Sequence, residues 1–271
     1  MSYRLVALDV DGTIVGEDLT IHPSVQDVIT EARQQGVIVT LATGRSFLSA
    51  LPFANMLSLD APIITQQGSI IRRPQDAEPI YKHYFDIELA HELTSLLHHS
   101  EGRLVLFVDD IMIASVEDER TERYRKRIPN LELLIEPDLP AWLALEAHCG
   151  RLLRLAYTVE PEIMPFDIQR VRQRFQDKLE ITLTYPHFLE LGPVGVHKGS
   201  ALQWLAAYCG IPIGETMVIG DSCNDVDMFQ VAGLAVAMGD GQEEAIQAAH
   251  VTTSALKDGG VVEAFRKYVL S

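Results

Sequence analysis

The chain has 271 residues, with 22 Lys and Arg against 38 Asp and Glu, a formal charge of −16 at pH 7. That length fits one large domain or two ordinary ones, and it buries a core without disulfide or metal staples. The acidic balance argues against nucleic acid, whose binding rests on Lys and Arg neutralising phosphates, and against an anionic membrane surface. Cys149, Cys209 and Cys223 show neither CxxC spacing nor an even count, which argues against a disulfide framework or a zinc knuckle. The short apolar run near the start ends in carboxylates, unlike a signal peptide or an anchor. No stretch approaches the roughly 20 apolar residues that span a bilayer, and the expected compartment is a reducing cytoplasm.

Residues 5–8 (Leu-Val-Ala-Leu) read as a short buried strand. Residues 22–35 carry helical apolar spacing at Val25, Val28, Ile29 and Ala32, with Pro23 near the start and Gly36 as a stop. A strand over 37–41, a helix over 46–57 and a strand over 62–65 follow. Strands separated by helices of this length imply βαβ units and a parallel sheet.

The middle reads differently. Strands are expected over 104–108, 111–115, 152–159 and 179–185, and helices over 86–99, 116–127 and 161–177. The stretch 81–189 is far longer than a βα loop of a few residues, so it reads as an inserted α+β domain. Its charge run, from Glu117-Asp118-Glu119 to Arg125-Lys126-Arg127, places acid at the start and base at the end of a helix. That order matches the helix macrodipole, and a solvated helix accounts for it. Residues 190–271 return to the first rhythm, with helices over 200–208, 225–231, 242–248 and 260–268 and strands over 216–219 and 234–237. The α/β core is therefore expected from residues 1–80 and 190–271 together.

The chemistry gathers at strand ends, where open parallel sheets bind ligands. Asp9 and Asp11 follow the first strand, one residue apart and on one side of an extended segment, and Gly12 permits a sharp turn after them. A buried pair of carboxylates needs a cation or a proton, and a hard oxygen-seeking ion such as Mg²⁺ fits; a capping Asp beside a turn Asp is the plainer reading. Thr43-Gly44-Arg45 follows the second strand and offers a hydroxyl and backbone N–H groups to an anion, although Thr43 or Ser46 is equally a plain helix cap. Gly220-Asp221-Ser222-Cys223-Asn224-Asp225 follows a late strand, where Asp225 alone might only complement a helix N-terminus. Lys198 opens a helix, an unfavourable place for a cation unless it has another purpose than a surface lysine's. Carboxylates, a hydroxyl, a lysine and a metal make up the inventory of phosphoryl transfer.

In these residues and their order the chain resembles the haloacid dehalogenase (HAD) superfamily of phosphohydrolases, and within it the Cof-type, type IIB branch. The resemblance rests on Asp9-x-Asp11-Gly12-Thr13, Thr43-Gly44-Arg45, Lys198-Gly199 and Gly220-Asp221-x-x-Asn224-Asp225, with a long insert between the second and third. It implies a Rossmann-like parallel-sheet core with an α+β cap of the C2B type at 81–189. It further implies an Mg²⁺-dependent phosphatase acting through an aspartyl-phosphate on Asp9, with Asp11 as general acid and base. Thr43, the Gly44 amide, the Val10 N–H, Lys198 and Asn224 would hold the phosphoryl group. Mg²⁺ would take Asp9, the Asp11 carbonyl and Asp221, with Asp225 bracing Lys198 or the metal shell. Asp11 disfavours carbon–halogen chemistry, because true dehalogenases lack that acid and base.

The implied substrates are small phosphorylated metabolites: sugar phosphates, extending to flavin mononucleotide or pyridoxal phosphate, chosen by a cap that closes and excludes water. Two alternatives stand beside this: a type IIB phosphomutase, and a non-catalytic regulatory protein that binds a phospho-ligand. The chain departs from its relatives at Gln67-Gly68, where Asn-Gly is usual, and at His197, read as a partly exposed loop histidine. Cys223 is either an oxidation-sensitive thiol or an inert buried one.

Overall fold

The computed structural model describes residues 3–128 and 132–271. They form two compact units, one of residues up to Lys82 together with His197–Ser271, the other His83–Val196.

The first unit is built on a five-stranded parallel sheet. From one edge its strands are Val251–Thr252, Leu234–Ala237, Thr216–Gly220, Leu5–Leu8 and Ile38–Leu41. Leu5–Leu8 is an uninterrupted apolar run because both its faces are covered, as parallel strands require. Val6 and Leu8 pack with Val25, Ile29, Ala32 and Phe265 on one side. Leu5 and Ala7 pack with Leu202, Leu205 and Phe229 on the other. Each such Val, Leu, Ile or Phe side chain contributes roughly 1.5–3 kcal/mol through burial. The helix Pro23–Gln34 starts where His22 caps it and Pro stands in its first turn, and it buries Val25, Val28, Ile29 and Ala32. Register aligns the strand ends: Leu8 pairs with Ile219 on one side and with Leu41 on the other. The residues just beyond, Asp9, Ala42-Thr43 and Gly220-Asp221, therefore leave the sheet at one level.

The strand expected over 62–65 belongs elsewhere. Ile63–Thr65 forms a three-stranded antiparallel sheet with Ile70–Arg72 and Tyr81–Lys82. It meets the edge of the main sheet at a parallel bridge between Ala42 and Ile64, where the Thr43 N–H donates to the Ile64 carbonyl at 3.0 Å. The chain reverses immediately after Thr65, so the strand is spent on a hairpin.

The inserted unit holds a six-stranded sheet in the order Leu179–Tyr185, Phe188–Pro193, Leu152–Thr158, Arg103–Val108, Ile111–Ala114 and Glu132–Ile135. Its pairs are antiparallel except the last, which is parallel. Leu104, Leu106, Leu155, Leu189 and Leu191 share a core with Leu93 of the helix Ile87–His98 and Val171 of Met164–Phe175. The strand Phe188–Pro193 lies beyond the strands expected for the insert, the last of which is 179–185. The expected boundary at 189/190 falls inside it, and pairing with both neighbours carries the unit on to Val196. The charged helix runs Glu119–Arg127, beginning later than expected because Asp118 accepts the Arg120 and Thr121 N–H groups. Its acids Glu119 and Glu122 lie in the first turn, as the macrodipole favours. Among the described residues no helix is long and apolar enough to cross a membrane.

Candidate active site

The first strand delivers Asp9 to a buried position, anchored by its N–H to the Ile219 carbonyl at 2.9 Å. The chain then turns tightly, with the Ile14 and Val15 N–H groups both donating to the Val10 carbonyl at 3.0 Å. Gly12 has φ 82°, and a Cβ there would stand 2.3 Å from Asp221 Oδ2. Only glycine satisfies both the left-handed backbone and the close approach of that carboxylate.

Lys198 enters from the start of the helix Lys198–Tyr208 and is 0% exposed. Its Nζ donates to Asp9 Oδ1 and Asp225 Oδ1, both at 2.6 Å, and to Asn224 Oδ1 at 3.5 Å. The two carboxylates offset the unfavourable placing of a cation at a helix N-terminus. Asp225 is wholly buried, and its second oxygen accepts the N–H groups of Asp221 (2.9 Å) and Ser222 (3.0 Å). It thus braces the lysine with one oxygen and shapes the loop with the other. Asp221 is less buried and accepts from the Thr13 hydroxyl at 3.4 Å. Asn224 Oδ1 also accepts from Ser222 Oγ at 2.8 Å.

Asp9, Asp221 and Asp225 each place a carboxylate oxygen within 4.8 Å of the others. Three carboxylates against one ammonium leave an excess of two negative charges if all are ionised. The titration behaviour reflects this. Burial raises Asp9 well above the usual carboxylate range; Lys198 pulls it back, while Asp225 and Asp221 push it further up. Burial and the Asp225 charge push Asp221 up to about 7. Burial alone would lower Lys198, but Asp225 and Asp9 outweigh it and hold the ammonium above the ordinary lysine value. A hard divalent cation with oxygen ligands suits this excess. Both Asp225 oxygens are already taken by N–H donors, so Asp9 and Asp221 are the side chains free to hold such an ion.

Asp11 stands apart from this cluster. Its half-exposed carboxylate is gripped by Arg45 in a two-pronged pair, Nη2 to Oδ1 at 2.6 Å and Nε to Oδ2 at 2.7 Å. Arg45 also donates to Ser49 Oγ at 3.1 Å and lies over the Phe53 ring. Arg45 and Thr13 were not singled out as site residues, although both stand inside the quoted motifs. Thr43 is buried, and its hydroxyl accepts the Arg45 N–H at 3.2 Å. The helix cap is Ser46, whose Oγ accepts the Ser49 N–H. Val10 is buried, and Gly44 follows Thr43 at the end of the adjacent strand. His197 is no loop ornament: its Nδ1 accepts the Ser200 N–H at 3.3 Å and caps the helix that carries Lys198. Burial, then the charges of Asp225 and Glu244, push the Cys223 thiol up, which disfavours its reactive thiolate.

The arrangement offers a buried carboxylate clamped by a lysine, an acidic pair suited to a cation, and a second carboxylate at the turn. The model of haloacid dehalogenase-like hydrolases matches residues 6–265. A 5-amino-6-(5-phospho-D-ribitylamino)uracil phosphatase of Bacillus subtilis is 26% identical, over 97% of each chain. An HMP-PP phosphatase of Serratia proteamaculans is 26% identical over 88% of this chain and 84% of its own. The solved structure of a HAD subclass IIB sugar phosphatase superposes with a TM-score of 0.81 at 21% identity, covering 98% of both chains, and speaks for a shared fold.

Proposed function

The chain belongs to the haloacid dehalogenase-like hydrolases and is a phosphoric monoester hydrolase, and from that premise we propose that it is an Mg²⁺-dependent phosphatase of small phosphorylated metabolites, working through an aspartyl-phosphate on Asp9. The observation that carries this reading is the Lys198–Asp9 contact of 2.6 Å inside a cluster of three buried or half-buried carboxylates.

An oxygen of Asp9 attacks phosphorus and the ester oxygen leaves, taking a proton from Asp11. Water then attacks the phosphorus of the aspartyl-phosphate while Asp11 takes back a proton, and inorganic phosphate departs. Asp11 must be protonated for the first step, so its pair with Arg45 has to open before the leaving group is served. Lys198 neutralises charge on the transferring group and fixes the Asp9 carboxylate in line. Thr43, the Gly44 and Val10 amides and Asn224 supply the remaining donors. Asp9, the Asp11 carbonyl and Asp221 would hold Mg²⁺, which neutralises phosphoryl oxygens when bound. Asp225 keeps Lys198 and the Asp221 loop in place.

The relatives act on a phosphorylated ribitylaminouracil and on HMP-PP by their names. They support a polar, organic phosphate as substrate, and we assign its selection to residues 83–196. The test is phosphate release from a metabolite panel and from p-nitrophenyl phosphate, with and without Mg²⁺. Asp9→Asn is expected to lower turnover by about 10⁴-fold or more with its fold intact. Metal-dependent turnover surviving in that variant would refute the nucleophile assignment.

A further inference from the structure

The turn after the strand Ile63–Thr65 is strained in an informative place. Gln66 (φ 51°) and Gln67 (φ 54°) are both left-handed, and Gly68 (φ 103°) follows them. A glutamine enters that region at a cost, because its Cβ crowds the following carbonyl. Such strain persists only where the surroundings over-determine it. A chain that needed merely to reverse between two antiparallel strands is better served by Asn-Gly or Gly-Gly.

The surroundings can be named. The Gln66 N–H donates to the Arg45 carbonyl at 2.9 Å, and the Gln67 N–H donates to the Thr43 carbonyl at 3.1 Å. Both side chains are buried, and Gln66 Nε2 has no hydrogen-bond partner. The Gln67 carboxamide lies against Gly44: a Cβ on Gly44 would stand 2.5 Å from Gln67 Nε2 and 3.0 Å from its Cδ. On the far side of the turn, a Cβ on Gly68 would stand 2.6 Å from the His197 carbonyl oxygen, next to Lys198. One turn thus braces the Thr43–Arg45 loop with two backbone bonds and a side chain, and meets the start of the lysine helix with its glycine. An asparagine at position 67 would be one methylene too short to cover Gly44 in the same way.

We infer that Gln67 is a positioning residue of the phosphate site, its carboxamide seating the Thr43-Gly44 backbone while Gly68 lets the same turn close on the helix of Lys198. The inference rests on the phosphatase reading above. A loop displaced by about an ångström loses one to two orders of magnitude in function.

The test uses the full chain with Mg²⁺, reading the inhibition constant for inorganic phosphate, kcat and KM for p-nitrophenyl phosphate, and thermal stability. Gln67→Gly relaxes the backbone and removes the carboxamide. It is expected to melt no lower than the parent, yet to weaken phosphate inhibition about tenfold. Gln67→Asn is expected to keep the turn and recover only part of that affinity. In a double-mutant cycle, Gly44→Ala and Gln67→Ala are expected to be non-additive, since the second makes room for the first. Phosphate inhibition within twofold of the parent in both folded single variants, Gln67→Gly and Gln67→Asn, overturns the inference. Direct phosphate binding to the Mg²⁺-loaded protein, followed by calorimetry, separates the two readings. A parent that binds phosphate but hydrolyses nothing refutes the phosphatase and leaves the role of Gln67 measurable. A parent that binds none sinks both.

Discussion

Among the described residues two cationic side chains are fully buried, one in each compact unit, and they are served very differently. Lys198 in the core has carboxylates at 2.6 Å on two sides and an amide oxygen at 3.5 Å. Arg154, in the middle of the inserted sheet, is 2% exposed, and its Nε and Nη1 have no hydrogen-bond partner. Burial lowers Arg154 from the usual arginine value, while Glu190 and Glu180 push the other way. A buried charge costs several kcal/mol unless its partners are well placed. In the core that cost is offset by a geometry that also surrounds the proposed nucleophile, Asp9. In the insert the charges of Glu190 and Glu180 work against it, and two guanidinium nitrogens stay without a hydrogen bond. Close compensation therefore marks the buried cation with chemistry to do, and burial alone does not.

Removing the core cation is the severest way to break this contrast. Lys198→Met leaves Asp9, Asp221 and Asp225 facing one another, and a loss of about 3–5 kcal/mol is expected. Protonation relieves the repulsion, so chemical denaturation is expected to show a larger loss at pH 8 than at pH 5. Turnover of p-nitrophenyl phosphate is expected to vanish at both.

Metal and pH probe the same cluster in the intact protein. Asp9 and Asp221 have raised folded-state values, Asp221 at about 7, so the fold binds protons that the unfolded chain releases near pH 4. Their protonated forms favour folding at low pH, and that advantage is lost as pH rises through about 7. Lys198 is raised too and has the same sense; its contribution is lost only as pH rises past the ordinary lysine value, outside this window. Metal-free protein is therefore expected to lose melting temperature between pH 5 and 8, with Mg²⁺ restoring more of it at pH 8. An Mg²⁺ increment independent of pH would contradict the assignment of this cluster to the metal.

Gly12→Ala is a milder perturbation of the same place. It forces a side chain into φ 82° and toward Asp221 Oδ2, with an expected cost of about 1–3 kcal/mol and weaker Mg²⁺ activation. The smallest effect is expected in the insert. Arg154→Met replaces a guanidinium with two unpartnered nitrogens by an apolar chain of similar length, and stability is expected to hold or rise by about 1 kcal/mol. Its p-nitrophenyl phosphate turnover is expected to match the parent's. A large loss of stability in that variant would erase the contrast between the two cations.

Much of the core was legible because its signals are local. An apolar run ending in Asp, a Pro-led amphipathic helix and a Gly stop each act within a few residues, so Leu5–Leu8, Pro23–Gln34 and Thr216–Gly220 appear near their expected positions. Ile63–Thr65 did not join the main sheet, because pairing is chosen by the hairpin partner, which the run of Ile does not announce. Phe188–Pro193 straddles the expected boundary at 189/190, and its place is set by pairing with strands on both sides, which its own residues do not announce. His197 is partly exposed, as expected; its capping role needs the geometry of the helix start.

The sequence by itself established the chemical inventory: carboxylates at strand ends, a lysine opening a helix, and a long insert between two halves of a parallel sheet. These follow from covalent neighbours and from the periodicities of strand and helix. Tertiary structure alone decided who meets whom. Lys198 and Asp9 lie 189 residues apart, and only the packing of the helix Lys198–Tyr208 on the first strand brings them within 2.6 Å. It gave Asp225 to the lysine, Asp11 to Arg45 and Gln67 to Gly44. It also raised Asp221 to about 7, because a charge's cost depends on what is buried around it, which no run of neighbours along the chain encodes.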